Sequence, residues 1–368
     1  MKTLTKLFVA VVALAAGFAC TTDMTEDLGT GNVGQTKITL SLDESRTQLG
    51  AAADGIYPVT WSEGDVISVN GVASQSITIV DGGKVATFTF NGAVNYPYCI
   101  AYPAAAEGKV LFADKQSHTE STFANGAATM YGYAEADSGL SLSHLTGVLK
   151  IAVKGDKTLS HAQISTIDRA PIAGPFAIDF ASGKVSSTTE STPVINYSFG
   201  DGVKLSSTPL YMHIAVPEGV YDELYITLYD TEGGVMYART KADESKPLEA
   251  GVVRNYSTPI DYMPLTALYV VKDVASLKAL PNATTDAVVV CDIDLSGEAW
   301  TPLKGYTRTL EGNGYAIKGL TAPLFESTSA TIKGLHLEGV NITSSSLASM
   351  GALVGTYSGT EISHCSVS

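Results

Sequence analysis

The chain has 368 residues and a formal charge of −14, and it is 45% hydrophobic but only 16% charged. That balance excludes a disordered chain, and an acidic sequence without clustered Lys and Arg excludes nucleic acid as a partner, because phosphate binding needs gathered positive charge. Its 35 glycines and 18 tyrosines, with little helical periodicity, point to an all-β protein of two or three domains.

The chain opens with Lys2 and Lys6 around the start of an apolar run, Leu7 to Ala16. A membrane-spanning helix needs roughly 20 apolar residues, so this run is the core of an export signal. Gly17-Phe18-Ala19 then places small residues three before and one before Cys20. Two processing routes fit: cleavage that releases a soluble protein, or a lipobox in which the Cys20 thiol is acylated. Gly17 stands where a lipobox usually carries Leu. A Cys at the cleavage position and the polar, acidic run Thr21 to Asp27 nevertheless favour acylation. The expectation is a signal peptide at 1–19, lipidation at Cys20, a flexible tether at 20–36, and anchorage as a surface-exposed lipoprotein of a bacterial outer membrane.

Period-two patterns then mark strands. Ile38, Leu40 and Leu42 alternate with polar residues, as do Ala86, Phe88 and Phe90, and later Leu149, Ile151 and Val153. Leu224, Ile226 and Leu228 share one face of a strand, with Tyr225, Thr227 and Tyr229 on the other. Turn clusters such as Asn70-Gly71, Asp81-Gly82-Gly83 and Glu232-Gly233-Gly234 lie between such runs. One-sided burial with hairpin turns predicts stacked antiparallel sheets. Cys99, Cys291 and Cys365 match no metal spacing and read as buried, inert thiols; a Cys291–Cys365 bridge stays open. The best short helix candidate is Val274 to Leu280.

Four segments carry a resemblance: SRTQLG with YPVTWSEGDVISVNG around Trp61, Gly64 and Asp65; NYPYCIAYPAAA; LSLSHLTGVLKIAV around His144; and LEAGVVRNYS. In order and spacing they resemble fimbrillin-like proteins, the Mfa-like and type V pilus surface lipoproteins. The resemblance implies two tandem transthyretin-like β-sandwiches, at 37–139 and 140–262. Trp61 itself reads as a core plug and His144 as a strand residue.

After Pro264 the texture changes. Ile-Lys-Gly-Leu occurs at 317–320 and again at 332–335, among short β segments with Gly and Asn corners. This predicts a β-solenoid at 268–368 with Leu310, Ile317, Leu320, Phe325, Ile332, Leu335, Leu337, Ile342, Leu353, Val354 and Ile362 inside, and Gly312-Asn313-Gly314 turning a corner. Trp300-Thr301-Pro302, Gly312 to Ile317, Leu324-Phe325 and Gly351 to Gly355 resemble GLUG-type right-handed β-helices. The pattern stops at Ser368 without a polar cap, which is expected of a chain cut from a longer protein or of an end that a partner covers; the first is favoured.

No catalytic, cofactor or metal site emerges. Asp292 and Asp294 form a D-x-D pair with no third carboxylate nearby, and read as solvated strand-edge aspartates. Lys304, Arg308, Glu311, Lys318, Lys333, His336 and His364 are scattered, without a motif tying them. The expectation is a protein that is not an enzyme and needs no cofactor: an adhesin or an accessory or tip subunit of fimbriae, with a host or glycan ligand. The alternative is a glycan-binding or glycan-degrading β-helix protein with sandwich spacers. The fimbrillin resemblance also implies partner pilus subunits joined by strand addition, after an Arg-specific protease removes the first strand. Arg46-Thr47, after the polar exit Asp43-Glu44-Ser45, is the candidate processing site; an ordinary sheet-edge arginine is the competing reading.

Overall fold

The computed structural model describes residues 34–42, 59–136, 140–243, 245–264, 268–343 and 351–368. Cys20 and Arg46 lie outside these residues. The protein is all-β; the one α-helix among the described residues is Val274–Ala279, close to the expected span. Asp273 caps that helix by accepting from the Ser276 amide at 2.7 Å.

The N-terminal portion packs two sheets over one core. Gln35–Ser41 and Ser76–Val80 flank Val85–Asn91 in a three-stranded antiparallel sheet. A five-stranded sheet faces it, with Tyr98–Tyr102 between Met130–Ala134 and Ser68–Val69. The alternating residues Ile38, Leu40, Ala86, Phe88 and Phe90 point into the shared core. Trp61 plugs it, with its ring edge-on to Phe88 and Tyr102 at 5.0 and 5.2 Å. The W-S-E-G-D segment is a tied turn: Gly64 has φ +90°, and Asp65 accepts from the Ser62 amide at 2.8 Å and the Tyr102 hydroxyl at 2.9 Å.

A second pair of sheets shares another core. Thr146–Lys154 runs antiparallel to Leu210–Pro217 and parallel to Val253–Asp261. Opposite lie Val235–Lys241, Glu223–Asp230, Thr158–Thr166, Val194–Lys204 and Lys115–Ser117, in that order. Pairing crosses residue 140 in both directions. Ser143–His144 pairs back with Met130 and Tyr131, while Lys109–Phe112 pairs with Gly174–Asp179 and Lys115–Ser117 with Val194–Lys204. The two portions are interlocked by shared strands.

From Tyr269 onward the chain coils through three parallel sheets. One stacks Tyr269–Val271, Ala287–Val289, Leu310–Glu311, Ile332–Lys333 and Ile362–Ser363. A second stacks Ile293–Asp294, Ala316–Lys318, His336–Glu338 and Ser366–Val367, and a third Leu303–Lys304, Phe325–Thr328 and Val354–Tyr357. Leu310, Ile317, Leu320, Phe325, Ile332, Leu335 and Leu337 are all buried inside. Ile342, Leu353 and Val354 are half-buried, and Ile362, in the last coil, is 40% exposed.

The repeated tetrapeptide is not the structural repeat. Ile317 stacks on Ile293 and Leu337, whereas Ile332 stacks on Leu310 and Ile362 in a different sheet. What the two copies share is a local shape: Ile inward, Lys outward, a glycine with positive φ (Gly319 at +71°, Gly334 at +57°) turning the chain, and Leu inward.

Candidate functional site

The strand Glu223–Asp230 buries both faces. Leu224, Ile226 and Leu228 enter the core as alternation demands, yet Tyr225 and Thr227 on the opposite face are only 3% and 1% exposed. The coil covers them. Its corner is Asn313 and Gly314, with φ +52° and +75°. Asn313 donates from its side-chain amide to the Thr227 hydroxyl. The Tyr315 and Tyr229 hydroxyls both donate to Gln163 Oε1, at 2.6 and 3.1 Å.

At one end of this junction Arg169 acts as a clamp. Its side chain is 10% exposed and lies on the loop after Thr158–Thr166. It donates to Glu338 Oε1 at 2.9 Å, to Asp292 Oδ2 at 2.8 Å and to the Gly314 carbonyl. Lys318 Nζ sits 2.9 Å from Asp292 and 3.5 Å from Glu338. Burial alone would raise the Asp292 pKa, but the Ala316 amide, Lys318 and Arg169 outweigh it and hold the carboxyl below its ordinary value. Asp292 is exposed, as an edge aspartate is expected to be, and is in addition held by Arg169 and Lys318. Asp294 is exposed and accepts from the Ser296 amide at 2.8 Å.

At the other end the junction opens into a cleft of about 270 Å³. Antiparallel register builds one wall, because Tyr225 is opposite Arg239 and Thr227 opposite Tyr237 on the outward face. The coil builds the other as a ladder, Glu311 on Lys333 on Ser363, with His364 beyond. Arg239 pairs with Glu223, lies 3.3 Å from His364 Nδ1 and sits 5.8 Å from the Tyr225 ring centroid. Lys333 pairs with Glu361 at 3.0 Å.

Two groups in the cleft are poorly satisfied. Glu311 is 7% exposed and receives only a long bond from the Asn313 amide, at 3.3 Å. Burial pushes its carboxyl up to about 7, against the pull of that amide, Lys333 and Arg239. The buried Tyr225 hydroxyl has no hydrogen-bond partner among the described residues. Gly334 lets the two approach: a Cβ there would lie 2.6 Å from Tyr225 Oη and 3.1 Å from Glu311 Oε1.

The scattered polar residues of the coil thus separate by sheet. Glu311, Lys333 and His364 meet in the cleft, and Lys318 joins the clamp. Lys304 pairs with Glu326 at 2.8 Å, and buried His336 lies 2.6 Å from the Ser366 hydroxyl. Cys99, Cys291 and Cys365 are free and half-buried, and burial raises each thiol. Cys291 and Cys365 are not bridged. No described helix is long and apolar enough to cross a membrane.

Residues 294–368 match a family profile described as the M26 IgA1-specific metallo-endopeptidase N-terminal region. No curated protein and no solved structure matches the chain. The match overturns the expectation that the chain is not an enzyme, since its C-terminal part is similar to a region of a peptidase. That expectation rested on missing motifs such as H-x-x-H, and an N-terminal region need not carry them. The described residues do not fit a catalytic metal: none forms a group of three His, Cys, Asp or Glu able to hold one, and Asp292 and Glu338 are neutralised by Arg169 and Lys318.

Proposed function

We propose that the chain is a lipid-anchored bacterial surface protein in which fimbrillin-like sandwiches carry a right-handed β-helix and present it to a ligand. In this reading Cys20 holds the acyl chains, and the protein is an adhesin or an accessory fimbrial subunit. The observation that carries the binding role is the junction itself. The coil covers the outer face of Glu223–Asp230 yet leaves a cleft holding a buried carboxyl with one long hydrogen bond and a buried hydroxyl with no partner among the described residues.

Palmitate labelling and surface accessibility test the anchor. Wild-type protein should take up label and be cleaved by protease added to intact cells, and Cys20→Ser should take up none. An unlabelled wild-type protein released to the medium would overturn it. Assembly by strand addition is proposed at Arg46. Gln35–Ser41 is an edge strand whose buried Ile38 and Leu40, with Leu42 just after it, would leave an apolar groove if removed.

The family match favours a second reading, in which the coil is the region of an endopeptidase that precedes or engages its substrate. Binding of the full chain to immobilised IgA1 tests it: retention of IgA1 through residues 268–368 would support this reading, and no retention would count against it.

A further inference from the structure

We propose that the cleft between Glu223–Lys241 and the coil binds one neutral, hydroxyl-rich ring, a hexose or N-acetylhexosamine unit of a glycan. The inference rests on the surface-binding reading above and names the ligand class of its site. Size sets the first limit. At about 270 Å³ the cleft is at the low end of ligand pockets, roughly 300–1,000 Å³, so it admits a single ring and not a folded peptide loop.

Charge sets the second limit. Arg239 and Lys333 are already paired with Glu223 and Glu361. The remaining carboxyl, Glu311, is held toward its protonated form by burial. An anion would meet two engaged cations among three acidic side chains, and a cation would meet carboxylates already neutralised. A neutral ligand pays neither cost.

Chemistry then favours a sugar. Its hydroxyls both donate and accept, which suits a buried carboxyl and the unpartnered Tyr225 hydroxyl, itself 3% exposed. Tyr237 is half-buried beside them and offers a ring against which the apolar face of a pyranose can lie. The Tyr225 and Glu311 positions are fixed from both sides, by the sheet register and by the coil ladder, while the Tyr225 hydroxyl is covered in this structure and is reached by a ligand once its cover moves aside.

The test uses the full mature chain and ligand-observed NMR titration. The neutral probes are methyl glycosides of glucose, galactose, mannose and N-acetylglucosamine; glucuronate and inorganic phosphate are the charged counterparts. At least one neutral glycoside should bind, and more tightly than either charged probe. Tyr225→Phe should weaken it about three- to tenfold, the loss of one hydrogen bond, without lowering the melting temperature, because the buried hydroxyl removed has no partner among the described residues. Tyr237→Ala should weaken it at least as much, and Lys304→Ala, on another face of the coil, should not. No neutral glycoside binding, tighter binding of glucuronate or phosphate, or affinity indifferent to Tyr225→Phe and Tyr237→Ala would overturn the inference. Failure here leaves palmitate labelling and surface exposure intact, whereas an unlabelled, released protein that still binds sugar would sink the surface reading alone.

Discussion

Glu311 is the residue whose environment departs furthest from what its neighbours in sequence predict. In the strand pair Leu310–Glu311 the Leu points inward and the Glu outward, and an outward Glu on a solenoid is ordinarily solvated. Here the outward side is covered, leaving the carboxyl 7% exposed. Its folded-state pKa of about 7 stands above the unfolded value of 4.5, so the folded state holds the proton more tightly. Stability is then highest below pH 4.5 and falls as pH rises through about 7, by roughly 1–3 kcal/mol from this group. Glu311→Gln should flatten that slope and melt later than wild type at pH 8; thermal scans across pH 4.5 to 8 check it. Gly334 supplies a second expectation. Because a Cβ would meet Tyr225 Oη at 2.6 Å in a φ +57° conformation, Gly334→Ala should destabilise by about 1–3 kcal/mol in denaturant titration. Neither residue was legible as special in the sequence. Each sits in a motif of ordinary appearance, and its role comes from a strand roughly 90 to 110 positions earlier in the chain.

At the scale of elements, alternation was readable wherever a strand has one wet face. Ile38, Leu40, Ala86, Phe88 and Phe90 are buried as the pattern demands, and so are the seven inner residues of the first coils. The misreading came where a second layer lands on the outer face. Tyr225, Thr227 and Tyr229 follow a period of two, and nothing in that period distinguishes a solvated face from one covered by the coil. The tetrapeptide placed its Ile and Leu residues inside correctly, although it marks a recurring corner shape and not a recurring position. Inner and outer positions should still differ sharply. Phe325→Ala or Leu335→Ala should cost about 2–5 kcal/mol, because each side chain is fully buried. Lys333→Ala should cost under about 1 kcal/mol, since its pair with Glu361 is 38% and 46% exposed. Lys318 belongs to the clamp, so Lys318→Ala should fall between the two. Urea titrations of the four variants rank them.

Across the whole molecule, contact between coil and sheet is concentrated in a few polar residues. Arg169 reaches Asp292 and Glu338 on the two coils that flank the one carrying Lys318, Gln163 receives Tyr315, and Thr227 receives Asn313. Further back, Lys109–Phe112 and Lys115–Ser117 join sheets whose other strands follow residue 140. The two antiparallel portions therefore share strands, while the coil is joined to them through side chains and one covalent connection. Shared strands couple unfolding strongly, because a sheet losing an inner or edge strand exposes its core. A side-chain junction couples less. Arg169→Ala removes a nearly buried guanidinium and leaves two carboxylates facing each other with only Lys318 between them. It should destabilise the junction by about 2–4 kcal/mol. The expected signature is selective: calorimetry should show the coil melting ahead of the antiparallel portions, and amide exchange should rise at Ile317 and Leu337 in the coil while Leu149 and Ile151 stay protected. Uniform loss of protection across the chain in this variant would instead mean that the coil and the antiparallel portions unfold as one unit.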